Sequence, residues 1–179
     1  MAAKDKSIYE TFSITSNDGS RTIDLRGGIV SFSYFENVFS PMLTAQVLIT
    51  TSGNVIPDEE GEFTSIYNGL PLRGGEKVSI KIPANSENNT DLEFTEENGT
   101  ELYVGSITNV IIEAEKEIFT LNLVSREAIT NETQRIGKKF PVSERISDSV
   151  KEIVKKYLLS DKDVNVDETQ NPYGFIGNM

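Results

Sequence analysis

The chain has 179 residues and a mass of 19.9 kDa, enough for one medium domain or for one domain and part of a second. It contains no cysteine and no histidine, which removes disulfides, thiolate metal sites, thiol nucleophiles, Ser-His-Asp triads and imidazole-ligated metals. Seventeen Lys and Arg against twenty-eight Asp and Glu give a formal net charge of -11, so the chain as a whole repels phosphate and makes a poor nucleic-acid clamp.

From Ile8 to about Arg126 the apolar residues recur with a period of two, in short runs broken by Gly, Asn, Pro and acidic clusters. That pattern predicts a β-rich domain. The expected strands are Ile8 to Thr15, Arg21 to Leu25, Ile29 to Phe35, Leu43 to Thr50, Lys77 to Ile82, Asp91 to Thr95, Glu101 to Glu113 and Glu117 to Ser125. Asn17-Asp18-Gly19 supplies the turn between the first two. Between Gly53 and Lys77 the strand signal lapses, and Phe63 to Asn68 is expected to make one or two helical turns. The last two strands flank Ala114-Glu115-Lys116 and read as one long hairpin. In its first arm Leu102 and Val104 lie on the opposite face from Ile107 and Ile111, a change of side that a bulge at Gly105, or a strand passing between packing layers, accounts for.

After Arg126 the period becomes helical, with Ile146, Val150, Ile153, Val154, Tyr157 and Leu158 along one stripe. The spacing predicts a helix over 144–159, with Ser143 as N-cap, Pro141 just outside it, and Glu144 and Lys155-Lys156 complementing the dipole.

Two base-free runs hold the acidic excess: Asp58, Glu59, Glu60 and Glu62, then Glu87, Asp91, Glu93, Glu96, Glu97 and Glu101. Both read as solvated loops. No stretch approaches the ~20 apolar residues of a membrane span. Met1 to Ser7 has no apolar core behind its lysines, so the expectation is a soluble chain made without a secretory signal and not inserted in a membrane.

Three constellations invite a chemical reading. Asp161, Asp163, Asn165 and Asp167 open like a calcium loop, but Val166 stands where the turn needs Gly and Pro172 where a bidentate Glu belongs, so a short strand Val164 to Val166 is expected instead. Gly69 to Glu76 has a phosphate loop's glycines, yet Glu76 replaces the Lys, and the segment reads as a chain reversal with Gly74-Gly75 leading into the strand at Lys77. Paired carboxylates for glycoside hydrolysis normally sit in a cleft with aromatic sugar platforms, whereas here there is no Trp and the acids cluster in apparent loops. No catalytic, cofactor-binding or metal-ligating residue is assigned.

Ile29-Val30-Ser31-Phe32-Ser33-Tyr34-Phe35-Glu36 with Ser40-Pro41, Gly69 to Glu76 leading into Val78 to Ile82, the hairpin Tyr103 to Ser125, and the join Ile136-Gly137-Lys138-Lys139-Phe140 together resemble the N-terminal part of a baseplate hub protein of T-even-type contractile-tailed phages. The resemblance implies a mainly β fold: residues 1–126 as a small antiparallel β-barrel of tail-tube type, and residues 127–179 as the start of a second, incomplete α+β domain opened by helix 144–159. It implies a structural, non-enzymatic role in the ring that joins tail tube to central spike and permits DNA passage. The expected place is the virion's tail baseplate, assembled in the host cytoplasm. The expected partners are other hub chains, as a trimer or pseudo-six-fold ring, the tail tube protein and the central spike protein, with no direct nucleic-acid binding. Family chains are longer and carry a second tube-type barrel. The ending Gly174 to Met179 therefore reads as a cut, and a fragment, monomeric or weakly associated in isolation, is expected. A receptor- or carbohydrate-binding tail module and a carboxylate-based cell-wall hydrolase are the alternatives.

Overall fold

The computed structural model describes residues 8–40, 42–53, 56–57, 62–70, 72–113 and 115–170. Asp58, Glu59 and Glu60 of the first acidic run, Pro172, and the ending from Gly174 lie outside them. The chain divides into two compact units at Ser125/Arg126.

The first unit is mainly antiparallel β. Its strands are β1 (Thr11–Thr15), β2 (Thr22–Asp24), β3 (Ile29–Phe35), β4 (Thr44–Thr51), the short pair β5 (Ile56–Pro57) and β6 (Phe63–Thr64), β7 (Lys77–Ile82), β8 (Leu92–Phe94), β9 (Leu102–Glu113) and β10 (Lys116–Ser125). A four-residue helix α1 (Ile66–Gly69) follows β6, so the helical turn expected there forms beside a short strand. One eight-stranded sheet runs in the order β2-β1-β7-β9-β10-β4-β3, with β8 paired to β7. Alternation builds the core: Phe12 and Ile14, Val47 and Ile49, Val78 and Ile80, and Phe119, Leu121 and Leu123 all point inward and are fully buried.

The sheet is rolled. Asp24 ends β2 and Ile29 begins β3, a link that reaches at most ~18 Å at ~3.5 Å per residue. In a flat sheet with strands ~4.8 Å apart, the outer strands of seven would lie ~29 Å apart. Rings close the gap, with Phe12 of β1 edge-on to Phe32 of β3 at 5.9 Å and Tyr34 of β3 against Phe94 of β8 at 5.2 Å. A 3-10 turn, Arg26–Gly28, carries the chain across. Gly28 is required there because a Cβ would meet the Thr50 carbonyl oxygen at 2.6 Å. Among the described residues no ladder joins β2 to β3, so the sheet is not closed into the expected barrel.

Register irregularities shape the long hairpin. Asn122 pairs with Ser106 and Leu123 with Val104, which leaves Gly105 as the extra residue of a bulge at the point where the apolar side changes. A second irregularity lies between Ile118/Ile111 and Thr120/Thr108, where Asn109 takes φ 54.

The second unit holds α2 (Arg126–Thr133) and α3 (Ile146–Glu152), which runs into a π-turn, Ile153–Tyr157. The helix expected over 144–159 is therefore shorter and changes pitch. Glu144 N donates to the Pro141 carbonyl at 3.1 Å, so Ser143 belongs to a turn and Arg145 takes the N-cap position without a side-chain cap. The expected strand Val164 to Val166 does not form. Polar pins hold that segment instead: Ser147 and Thr169 exchange N–H to hydroxyl bonds at 3.3 and 3.4 Å, and Arg126 pairs with Asp161 at 2.8 Å.

Candidate functional site

Two buried carboxylates organise the loops of the β unit. Glu76 is fully buried, and its Oε1 accepts from Arg73 N at 2.7 Å while Oε2 accepts from Gly74 N at 2.9 Å. Asn17 Nδ2 adds a bond to Oε1 at 3.2 Å and ties in the β1–β2 turn. Gly74 and Gly75 have φ of 101 and 91, a left-handed turn that glycine adopts freely, and the Arg73 and Gly74 N–H groups converge on the one carboxylate. The turn from Arg73 to Glu76 is thus a small anion nest whose anion is the chain's own Glu76. The expected reversal into β7 forms, with Gly75 N donating to the Val104 carbonyl at 2.6 Å.

Glu117 of β10 does the same for α1. It is fully buried, and its carboxylate accepts from Ile66 N at 2.9 Å, Tyr67 N at 2.7 Å and Thr51 Oγ1 at 3.3 Å. The free N–H groups at the start of α1 are satisfied by this carboxylate and by the Ser65 hydroxyl, which accepts from Asn68 N. Neither position is open to a phosphate.

A cleft of about 600 Å³ lies beside the β1–β2 turn, lined among others by Ser16, Asp18, Arg21, Asn68 and Arg73. Several of its groups are tied to one another or to the backbone: Ser16 Oγ donates to Asp18 Oδ1 at 2.6 Å, and Arg21 Nη1 to the Gly69 carbonyl at 3.1 Å. The Ser16 hydroxyl, with the Ser20 backbone and hydroxyl groups, holds the Asp18 carboxyl down at about 2. A carboxylate that acidic is a weak proton acceptor at neutral pH. Among the described residues no aromatic ring lines the cleft.

The acids of the second run are partly structural. Asp91 Oδ1 accepts from Ala84 N at 2.8 Å, and Glu101 pairs with Lys77 at 3.3 Å, which raises the lysine. Asp161, from the calcium-like stretch, pairs with Arg126. Among the described residues no group of three or more Asp and Glu side chains is placed to hold a metal ion.

The most unusual surface is a pair of open strand edges. Beyond Val104, β9 is laddered to β10 alone, which leaves the edge from Gly105 to Glu113 without a strand partner among the described residues. Along it Val110, Ile111 and Ile112 are 39%, 48% and 43% exposed. At the other end of the sheet β3 pairs, among the described residues, with β4 alone, and Val30 and Phe35 are exposed. The β3–β4 loop continues that surface: Asn37 Oδ1 accepts from Phe39 N at 2.9 Å and holds up a tip on which Val38 and Phe39 are 90% and 94% exposed. Sequence reasoning found these strands but not their open edges, because alternation records a strand's faces and not its neighbours. No known protein family and no curated protein matches the chain.

Proposed function

We propose that the chain is a structural component of a contractile-tail baseplate hub, a subunit of the ring that joins the tail tube to the central spike and lets DNA through. The observation that carries this reading is the rolled antiparallel sheet of residues 11–125, its outer strands joined by a short link and by ring packing. In strand content and curvature it suits the small tube-type barrel that the sequence resemblance implies. The proposed role is one of assembly, and the backbone N–H groups that meet Glu76 and Glu117 serve the fold itself. The partners are further hub chains, the tail tube protein and the spike protein, in the virion baseplate. Residues 1–125 hold nineteen acids against eight bases, and such a wall lets DNA pass without holding it.

Quantitative mass spectrometry of purified tails, with labelled antibody to place the chain, tests the reading. The expected result is a fixed copy number per particle at the tube–spike junction. Absence from purified tails would overturn it, as would micromolar retention of duplex DNA by the isolated chain at physiological salt.

A further inference from the structure

We infer that the cleft beside the β1–β2 turn binds the phosphate monoester of a small polyol, with Arg21 and Arg73 taking the phosphate and Asp18 a hydroxyl. Residues 1–125 hold three arginines. Arg26 pairs with Asp24 at 2.5 Å, whereas Arg21 and Arg73 pair with no acid among the described residues, and both line the cleft. In a unit with nineteen acids to eight bases, carboxylate partners for an arginine are plentiful. Two arginines left without one meet on a cleft whose only acid among the described residues is Asp18. The cleft is therefore a net-positive place on an acidic unit, and it calls for an anion from outside the chain.

The walls are fixed by the fold itself, which lowers the ordering cost of binding. The half-buried Arg21 gives Nη1 to the Gly69 carbonyl at 3.1 Å, which holds its guanidinium and leaves the remaining N–H groups for a ligand. Arg73 is anchored through its backbone, whose N–H goes to Glu76 Oε1 at 2.7 Å, while its exposed side chain has no hydrogen-bond partner among the described residues. Asn17 Nδ2 donates to the Gly74 carbonyl at 3.0 Å and to Glu76 Oε1 at 3.2 Å, so the buried Glu76 ties the turn to the Arg73 segment. Guanidinium forks match phosphate oxygens in bidentate pairs, and two of them suit a dianion better than a lone carboxylate. Asp18 sets the rest of the ligand. Its Oδ1 takes the Ser16 hydroxyl and the Ser20 N–H and hydroxyl, which hold the carboxyl at about 2, and Oδ2 is left to accept from a ligand hydroxyl. A volume of about 600 Å³ lies within the ~300–1,000 Å³ of small-molecule sites. Duplex DNA fits less well, because its phosphodiesters carry one charge each and its backbone offers no hydroxyl. The inference goes beyond the hub reading and does not rest on it.

The test titrates the purified full-length chain at low salt, by calorimetry and amide NMR, with glucose 6-phosphate, ribose 5-phosphate, glycerol 3-phosphate, inorganic phosphate, glucose and a short duplex DNA. At least one of the three esters is expected to bind with a Kd below ~1 mM, to move the Ser20, Asn68 and Arg73 amides, and to bind more tightly than inorganic phosphate. Glucose is expected to move none of them. Arg73→Gln and Arg21→Gln are each expected to weaken the ester at least ~10-fold. Arg73→Gln, at an exposed side chain, should leave the melting temperature unchanged, so it decides the matter even if Arg21→Gln loosens the turn. The inference is overturned if no ester reaches that affinity, or if Arg73→Gln binds as the parent chain does. It is equally overturned if inorganic phosphate matches the best ester, or if duplex DNA moves the same amides at a lower phosphate concentration. A chain absent from purified tails defeats the hub reading alone, and a chain found in tails that binds no ester defeats this inference alone.

Discussion

The two units are held together by different physics. Among the described residues the β unit buries eighteen hydrophobic side chains in one cluster, whereas Phe140 is the sole buried hydrophobic of the helical unit. In the second unit Ser147, Ser149, Ser160, Glu127 and Thr130 take the buried positions, and Glu127 accepts from Ser160 Oγ and pairs with Lys162 at 2.6 Å. Charge divides the same way: nineteen acids against eight bases in residues 1–125, nine against nine in 126–179. Burial of large apolar side chains contributes ~1.5–3 kcal/mol each, against ~0.5–1.5 for a typical hydrogen bond. The β unit is thus the apolar, acidic framework, and the helical unit is expected to open first.

The sharpest way to break this contrast is Leu121→Asp. Leu121 is fully buried at the centre of β10, and an unpaired charge there costs several kcal/mol, much of a domain's ~5–15. The cooperative thermal transition of the β unit should disappear, and an unchanged melting temperature would show that the core is elsewhere. Phe140→Ala should cost ~3–5 kcal/mol. Hydrogen exchange should then show the amides of α2 and α3 losing protection while those of β10 keep theirs, and joint loss would mean that the units unfold together.

A smaller effect tests the roll. Gly28→Ala forces a Cβ against the Thr50 carbonyl oxygen, with an expected loss of ~1–3 kcal/mol, whereas Gly27→Ala meets nothing within 4 Å and should be neutral in denaturant titrations. Equal costs would remove the seam from the account. The smallest effect is the acid response of the β1–β2 turn. With its folded pKa lowered to about 2, Asp18 supports the turn fully above its unfolded value of ~3.9 and loses that support as pH falls through about 2. The Ser20 amide resonance should follow that window, and a midpoint near 4 would show that the hydroxyl bonds are absent in solution.

Local alternation made the β unit readable, and distant partners made the rest opaque. Ile29–Phe35 and Lys77–Ile82 form over the residues their apolar pattern marks, and of the two readings of the apolar shift at Gly105, a bulge or a passage between layers, the register shows the bulge. Glu76 and Glu117 were hidden: Glu117 answers N–H groups of Ile66 and Tyr67, fifty-one and fifty residues away, so nothing near it in sequence marks it as buried. The second unit was hidden for another reason. Arg126–Thr133 has no apolar stripe to announce a helix, because its buried residues are Glu127 and Thr130. At 153–157 the wider π pitch, with Leu158 N bonded to the Ile153 carbonyl at 2.9 Å, turns the expected stripe away from a single face.

Electron microscopy of the purified chain, paired with its mass in solution, tests the central claim most directly. The proposed ring role predicts closed rings with a central opening and a mass that is a whole multiple of 19.9 kDa. A single species at 19.9 kDa, persisting at ~100 μM where even a weak interface of micromolar Kd is saturated, would contradict it.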